Sequence, residues 1–277
     1  MNKKIFASVM LLSATLIWGF SYSVQTVLAD TVGTYTIVFL KAIGAIILYP
    51  ILKIMKKEIN KDAIIGGILI GTVAFLGCAF QQRGLELSTV SKASFITALY
   101  IVIVPIIEIV FGKRLKNKML IAIVCALIGL YLLCFSTNMT FSLGDILLLI
   151  CSFCFAIQII LIDRYSVKCD PLSLTFTSQM TISILAGVMM IVVEKPDYSG
   201  FINVIWPILY LILLSGMYAQ SIQICFQKDV GPSLGSLIMS FESVFGAIGG
   251  WLFLNQVLSI REIIGCILVF IAILIAE

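Results

Sequence analysis

Two ionisable residues sit among apolar neighbours: Lys41 within Val38-Phe39-Leu40-Lys41-Ala42-Ile43, and Glu242 within Met239-Ser240-Phe241-Glu242-Ser243-Val244. Both fall inside stretches long enough to cross a bilayer. A charge at the centre of such a helix costs about 2.5–3.5 kcal/mol on insertion scales, so it needs a partner, a water-filled cavity or a solute. Lysine offers a point charge to an anionic group. Burial disfavours an ionised carboxylate and a nearby cation favours it, which makes Glu242 the candidate for exchanging a proton. Two readings stand side by side: the residues receive a substrate, or they hold each other permanently and lock the fold.

A second group of residues carries hydrogen-bonding capacity into apolar surroundings. Gln81, Gln82, Gln158, Gln179, Gln220 and Gln223 lie in or near the same kind of stretch, where an amide bonds across helices or to a solute. Trp18, Tyr22, Tyr100 and Tyr218 are candidate cavity walls. The candidate substrate-binding set is therefore Lys41, Glu242, Trp18, Tyr22, Gln81, Tyr100, Tyr218 and Gln223. Glu108, near the Lys113–Lys118 cluster, reads as an interfacial ion-pair member, and Arg83, Glu86 and Lys92 read as charges at a membrane edge. Cys151 and Cys154 form a C-x-x-C inside an apolar run, and the chain has no histidine, so neither a metal nor another cofactor is expected.

The elements that must position these residues are helices in a membrane. Of 277 residues 61% are hydrophobic and 12% charged, with mean hydropathy +1.16, more apolar surface than a water-soluble globule can cover. Ten apolar runs are predicted as spans at roughly 5–28, 33–55, 63–82, 91–111, 118–136, 144–163, 171–193, 203–226, 232–254 and 260–276. The first run is too long for a signal-peptide core of about 7–15 residues and is taken as a helix. Lys41 then lies roughly 12 Å into the second span at about 1.5 Å per residue.

With the amino terminus inside, thirteen of the eighteen cations fall on inner segments, Arg83, Lys92, Lys195 and Arg261 fall outside, and Lys41 is within a span. That asymmetry places both termini in the cytoplasm of a multi-pass cell-membrane protein. Five spans precede the uncharged outer loop around 136–142 and five follow, so residues 1–138 and 139–277 are expected to be repeats of opposite orientation. Laying residues 90–133 on 232–275 aligns two helix–turn–helix units and brings Gln81 over Gln223. Inverted repeats are common in secondary transporters, with the substrate near the midplane between the halves.

Other classes fit less well. No G-x-x-x-x-G-K-[ST] is present for a nucleotide, and no histidine or carboxylate cluster suggests membrane-embedded catalysis. Sparse intramembrane polar residues argue against a channel, and the scattered cations against nucleic-acid binding. Gly67/Gly71 and Gly246/Gly250 make small-x-x-x-small pairs, which allow close helix contact within a protomer or in a homodimer.

Several motifs together resemble one family. They are Leu16-Ile17-Trp18-Gly19, then Lys92-Ala93-Ser94-Phe95-Ile96-Thr97-Ala98-Leu99-Tyr100 before Pro105, Gly129-Leu130-Tyr131-Leu132-Leu133, Ser240-Phe241-Glu242-Ser243-Val244-Phe245, Trp251-Leu252-Phe253-Leu254 and Ile275-Ala276-Glu277. In order and spacing they look like the EamA-type members of the drug/metabolite transporter superfamily. The resemblance implies a ten-helix carrier with two five-helix repeats, usually an exporter of amino acids or other small metabolites. Lipid-linked sugar flipping is the alternative it leaves open. Many relatives have arginine where this chain has Lys41, proline at Ser243, and glutamate at Lys113 and Gln256. The first departure removes the planar fork that grips a carboxylate bidentately.

Overall fold

A computed structural model describes residues 3–29, 31–134, 142–194, 201–254 and 259–276. Residues 136–141 of the expected outer loop, Lys195, Gln256 and Glu277 lie outside them. Among the described residues the fold is all helical. Eight helices are long and apolar enough to cross a membrane: α1 (Lys3–Ala29), α2 (Thr34–Ile54), α3 (Lys61–Glu86), α4 (Lys92–Val110), α6 (Leu143–Tyr165), α7 (Pro171–Glu194), α8 (Phe201–Val230) and α9 (Pro232–Leu252). Two shorter apolar helices complete the set, α5 (Asn117–Leu133) and α10 (Ile260–Ala276). At 17 residues α10 reaches about 26 Å, the lower end of what a bilayer requires.

Local chemistry sets several helix ends. Asn60 caps α3 by accepting from the Ala63 N–H at 2.9 Å, and Asp170 accepts from the Leu172 and Ser173 N–H groups ahead of α7, with Pro171 preset for the first turn. Ser142 and Asp145 form a reciprocal capping box at the start of α6. Gly112 and Gly231 take φ of +84° and +82°, a conformation that glycine adopts without strain, at the turns after α4 and before α9.

Water supplies no driving force between helices in a bilayer, so they associate by close packing at small residues. Gly67 and Gly71 of α3 lie against Thr177, Ser178 and Thr181 of α7, and Gly19 of α1 abuts Glu242, Phe245 and Gly246 of α9. The small-residue pairs singled out in the sequence thus contribute to contacts within the protomer. Gly129 of α5 meets Gly265 of α10, and Cys125 donates to the Leu268 carbonyl at 3.5 Å; this descending register makes α5 and α10 antiparallel. Large apolar side chains such as Ile68, Val192, Trp251 and Phe270 are turned outward, as a lipid-facing surface requires.

Besides a 3-10 stretch at Gly44–Ile47 of α2, three departures from regular helix lie at mid-span. α4 breaks at Leu99, between helical stretches Val90–Ala98 and Tyr100–Val110, and α9 breaks at Ser240–Phe241, just before Glu242. Each break is a tightened turn, with the Leu99 N–H bonded to the Ile96 carbonyl and the Phe241 N–H to the Ile238 carbonyl. Pro105 does not mark the break in α4, since it lies inside the continuous second stretch. In α8, residues Tyr210–Ala219 are wound as a π-helix. Regular spans were expected at all three places, because apolar periodicity does not register a single altered turn.

α8 crosses α2 so closely that a Cβ on Gly216 would overlap the Lys41 carbonyl oxygen. Gly216→Ala should therefore lower the thermal stability of the purified protein by about 1–3 kcal/mol, the usual cost of overpacking. Gly187→Ala, whose nearest neighbour would be the movable Phe39 ring at 3.3 Å, should change it much less. Equal melting of the two variants would show that the α2–α8 crossing tolerates separation.

Candidate functional site

Eight of the ten helices enclose a central cavity of about 80 Å³, room for several water-sized groups. α5 and α10 contribute nothing to its wall. Trp18 and Tyr22 come from α1, Lys41 from α2, Gln81 from α3, Tyr100 from α4, Gln223 from α8 and Glu242 from α9. Seven of the eight candidate residues are therefore brought together. Tyr218 is not among them: it is 38% exposed, with its hydroxyl 3.3 Å from Ser13 Oγ. The correction has a simple cause. Gly216 and Gln220 are about one helical turn apart, so a side chain midway between them points away from the face they share.

Lys41 and Glu242 do not form an ion pair. Lys41 Nζ donates to Gln25 Oε1 at 3.5 Å, while Glu242, 6% exposed, accepts from the Tyr100 hydroxyl at 3.1 Å. The amide group of Gln25 is itself fixed, its Nε2 donating to the Ser21 carbonyl and hydroxyl at 3.0 and 3.2 Å. A carboxylate facing a phenol and a separate ammonium leaves two opposite charges with unspent bonding capacity across one space. Such an arrangement can take a molecule with both an anionic and a cationic group.

The remaining wall is amide and aromatic. Gln81 Nε2 donates to the Tyr22 hydroxyl at 3.0 Å, and Trp18 Nε1 donates to the Ser215 carbonyl at 3.1 Å. Gln179 Nε2 donates to the Gly216 carbonyl at 2.9 Å. Both of those carbonyls lie in the π-wound part of α8, where the wider turn frees backbone oxygens for side-chain donors. Along α8, Gln220 donates to Gln223 at 3.4 Å and Gln223 to Gln227 at 3.0 Å, an amide ladder that fixes the orientation of Gln223.

Sequence reasoning passed over Gln25, Ser21 and Ser215. Gln25 follows Trp18 by seven residues and Ser21 by four, the spacing of one helix face, so the signal was present on α1. Ser215 carried none; its hydroxyl is buried on the cavity wall and has no hydrogen-bond partner among the described residues.

Ion pairs flank the cavity at both ends of the bundle. Glu108 pairs with Lys113 at 2.9 Å, and Arg83 with Glu86 at 2.7 Å. Lys92 differs. It reaches Asp145 of α6 at 2.7 Å, and that carboxylate is 1% exposed, so the residue read as an edge charge instead ties α4 to α6. Glu194 at the end of α7 accepts from the Tyr35 and Thr36 N–H groups at 2.5 and 2.9 Å, placing its charge on the amino-terminal end of α2. Between α2 and α3, Lys57 pairs with Asp170 at 2.7 Å, and the bond to that carboxylate raises the lysine pKa above its ordinary value.

Comparison with known proteins places this bundle. The model of the EamA-like transporter family matches residues 5–135 and again residues 142–276. The chain belongs to the EamA-like transporter family. It is a multi-pass membrane transporter of that family. A relative from Archaeoglobus fulgidus, described as an uncharacterized transporter, is 28% identical over 276 residues, covering 99% of this chain and 87% of the relative. A solved crystal structure superposes with a TM-score of 0.77 at 16% identity, covering 98% of this chain and 96% of that one, which extends the likeness to the fold.

Proposed function

We propose that this EamA-family transporter is a secondary active carrier that exports a small zwitterionic metabolite, such as an amino acid, by alternating access. The observation that carries the reading is the separation of Lys41 and Glu242 across one cavity, each bonded to a neutral neighbour rather than to the other. Lys41 receives the substrate carboxylate and Glu242 its ammonium group, while Trp18, Tyr22 and Tyr100 close around the remainder. Gln81 and Gln223 supply orienting hydrogen bonds. Glu242 is also the proton-coupling group, because an arriving cation and an arriving proton compete for the same carboxylate. No covalent step is involved.

Residues 1–138 and 139–277 act as inverted repeats in this reading. Supporting it, the 142-residue shift that lays 90 on 232 also lays Leu99 on Phe241 and Tyr100 on Glu242. The two helix breaks and the two residues that meet across the cavity are then symmetry mates. Discontinuous helices at the midplane free backbone groups where a solute binds, and rocking one repeat against the other moves access from side to side.

A panel of metabolites tested for thermal stabilisation of the purified protein, followed by flux into liposomes, checks the substrate class. Zwitterionic amino acids should raise the melting temperature and exchange across the bilayer. Stabilisation confined to lipid-linked sugars, with flux dependent on the lipid tail, would replace this reading with a flippase. Topology has its own check: tags fused at residues 1 and 277 should be protected in intact cells, and labelling of either from outside would reverse the assigned orientation.

A further inference from the structure

The second cavity, of about 340 Å³, opens at the end of the bundle where the chain starts and finishes, since Lys4 of α1 and Ala276 of α10 both line it. Four of the charged residues on its wall, Lys113, Arg114, Lys116 and Lys118, come from the turn between α4 and α5 and the first turn of α5; Lys4 and Glu108 complete the set. Among the described residues of the wall, five cations face one carboxylate.

Two other cations at this end are neutralised by carboxylates. Lys3 pairs with Asp229 at 2.9 Å, and Lys57 with Asp170 at 2.7 Å. Within the cavity wall the two oxygens of Glu108 are already taken, one by Lys113 at 2.9 Å and the other by the Ser233 hydroxyl. Arg114, Lys116 and Lys118 have no ion-pair partner among the described residues. Like charges within five residues repel, and the turn, which leaves α4 through Gly112 at φ +84°, nevertheless places them around one concavity. A cationic recess at the depth of a helix end matches a phosphate group in charge and in hydrogen-bond demand.

We propose that this recess is a binding site for a phosphate group, engaged by Arg114, Lys116 and Lys118. Its ligand chemistry is shared by inorganic phosphate and by the headgroup of an anionic phospholipid. The occupied site bridges the starts of α1, α5 and α9 and the end of α4, so it ties both broken helices together. It is separate from the central cavity and does not depend on what the carrier transports.

The test titrates the full chain in neutral detergent with inorganic phosphate, with dioctanoyl phosphatidylglycerol and with dioctanoyl phosphatidylcholine, reading melting temperature at constant ionic strength. The anionic probe should stabilise the wild type. The combined variant Arg114→Gln/Lys116→Gln/Lys118→Gln should weaken that binding by about a hundredfold, the combined effect of three cations near an anionic surface. A charge-matched control, Lys53→Gln/Lys56→Gln/Lys61→Gln, should bind as the wild type does. Stabilisation by phosphate alone identifies the free ion as the ligand, and stabilisation only by phosphatidylglycerol identifies the lipid; both support the site. No stabilisation by either, or equal losses in the two triple variants, overturns it. Arg114→Gln alone, expected to weaken binding about fivefold, serves if the triple variant does not fold.

Discussion

Lys41→Ala should cut transport to about a hundredth of the wild-type rate or less, while the protein still folds and purifies. A charged hydrogen bond to a bound carboxylate is worth about 1.5–3 kcal/mol, and its loss falls directly on substrate affinity. Folding should survive because the lysine is not the counter-ion of a buried carboxylate: its hydrogen bond is a 3.5 Å contact with Gln25, and Glu242 is held by Tyr100. A permanent structural pair would behave otherwise. Each single neutral variant would then lose about 3–5 kcal/mol of stability by stranding a buried charge, and the double variant with Glu242→Gln would recover much of it. Flux into liposomes, measured beside a thermal melt, separates the outcomes. Normal flux through Lys41→Ala removes its binding role, and collapse of the fold with rescue by the double variant establishes the structural pair instead.

Glu242→Gln should abolish net flux driven by a proton gradient and leave substrate counterflow intact. The replacement is nearly isosteric, and its amide oxygen can still accept from the Tyr100 hydroxyl now 3.1 Å from the carboxylate, so the cavity wall keeps its shape while losing the negative charge and the exchangeable proton. Counterflow requires the loaded carrier to reorient but needs no net proton movement, which is why it isolates coupling from binding. Substrate affinity should fall as well, because the ammonium group meets an amide dipole in place of a charge. Flux that keeps the wild-type pH dependence in this variant excludes Glu242 as the coupling group.

How far the site could be read in advance depended on the kind of signal. A charge in an apolar run is conspicuous, because the cost of burying it is paid only where something answers it; Lys41 and Glu242 were legible for that reason, and Trp18 and Tyr100 through the motifs around them. Gln25 is an amide on a helix that also carries several serines and threonines, and nothing in its neighbours distinguishes it until the lysine of another helix arrives. Lys92 looked like an edge charge for the same reason: Asp145, its buried partner, lies 53 residues further along the chain.

The sequence by itself determined the class of molecule. Apolar runs of bilayer length and the asymmetry of lysine and arginine are set by transfer free energies, which act on each segment alone. Only the tertiary structure decided that α5 and α10 pack together away from the cavity, that α4 and α9 break at Leu99 and Ser240–Phe241, and that Tyr218 faces away while Gln25 and Ser215 join the site. Those outcomes depend on which helix faces meet and which backbone groups find donors on neighbouring helices. In a bilayer, where apolar side chains are equally content against lipid or protein, close fit and hydrogen bonding make that choice.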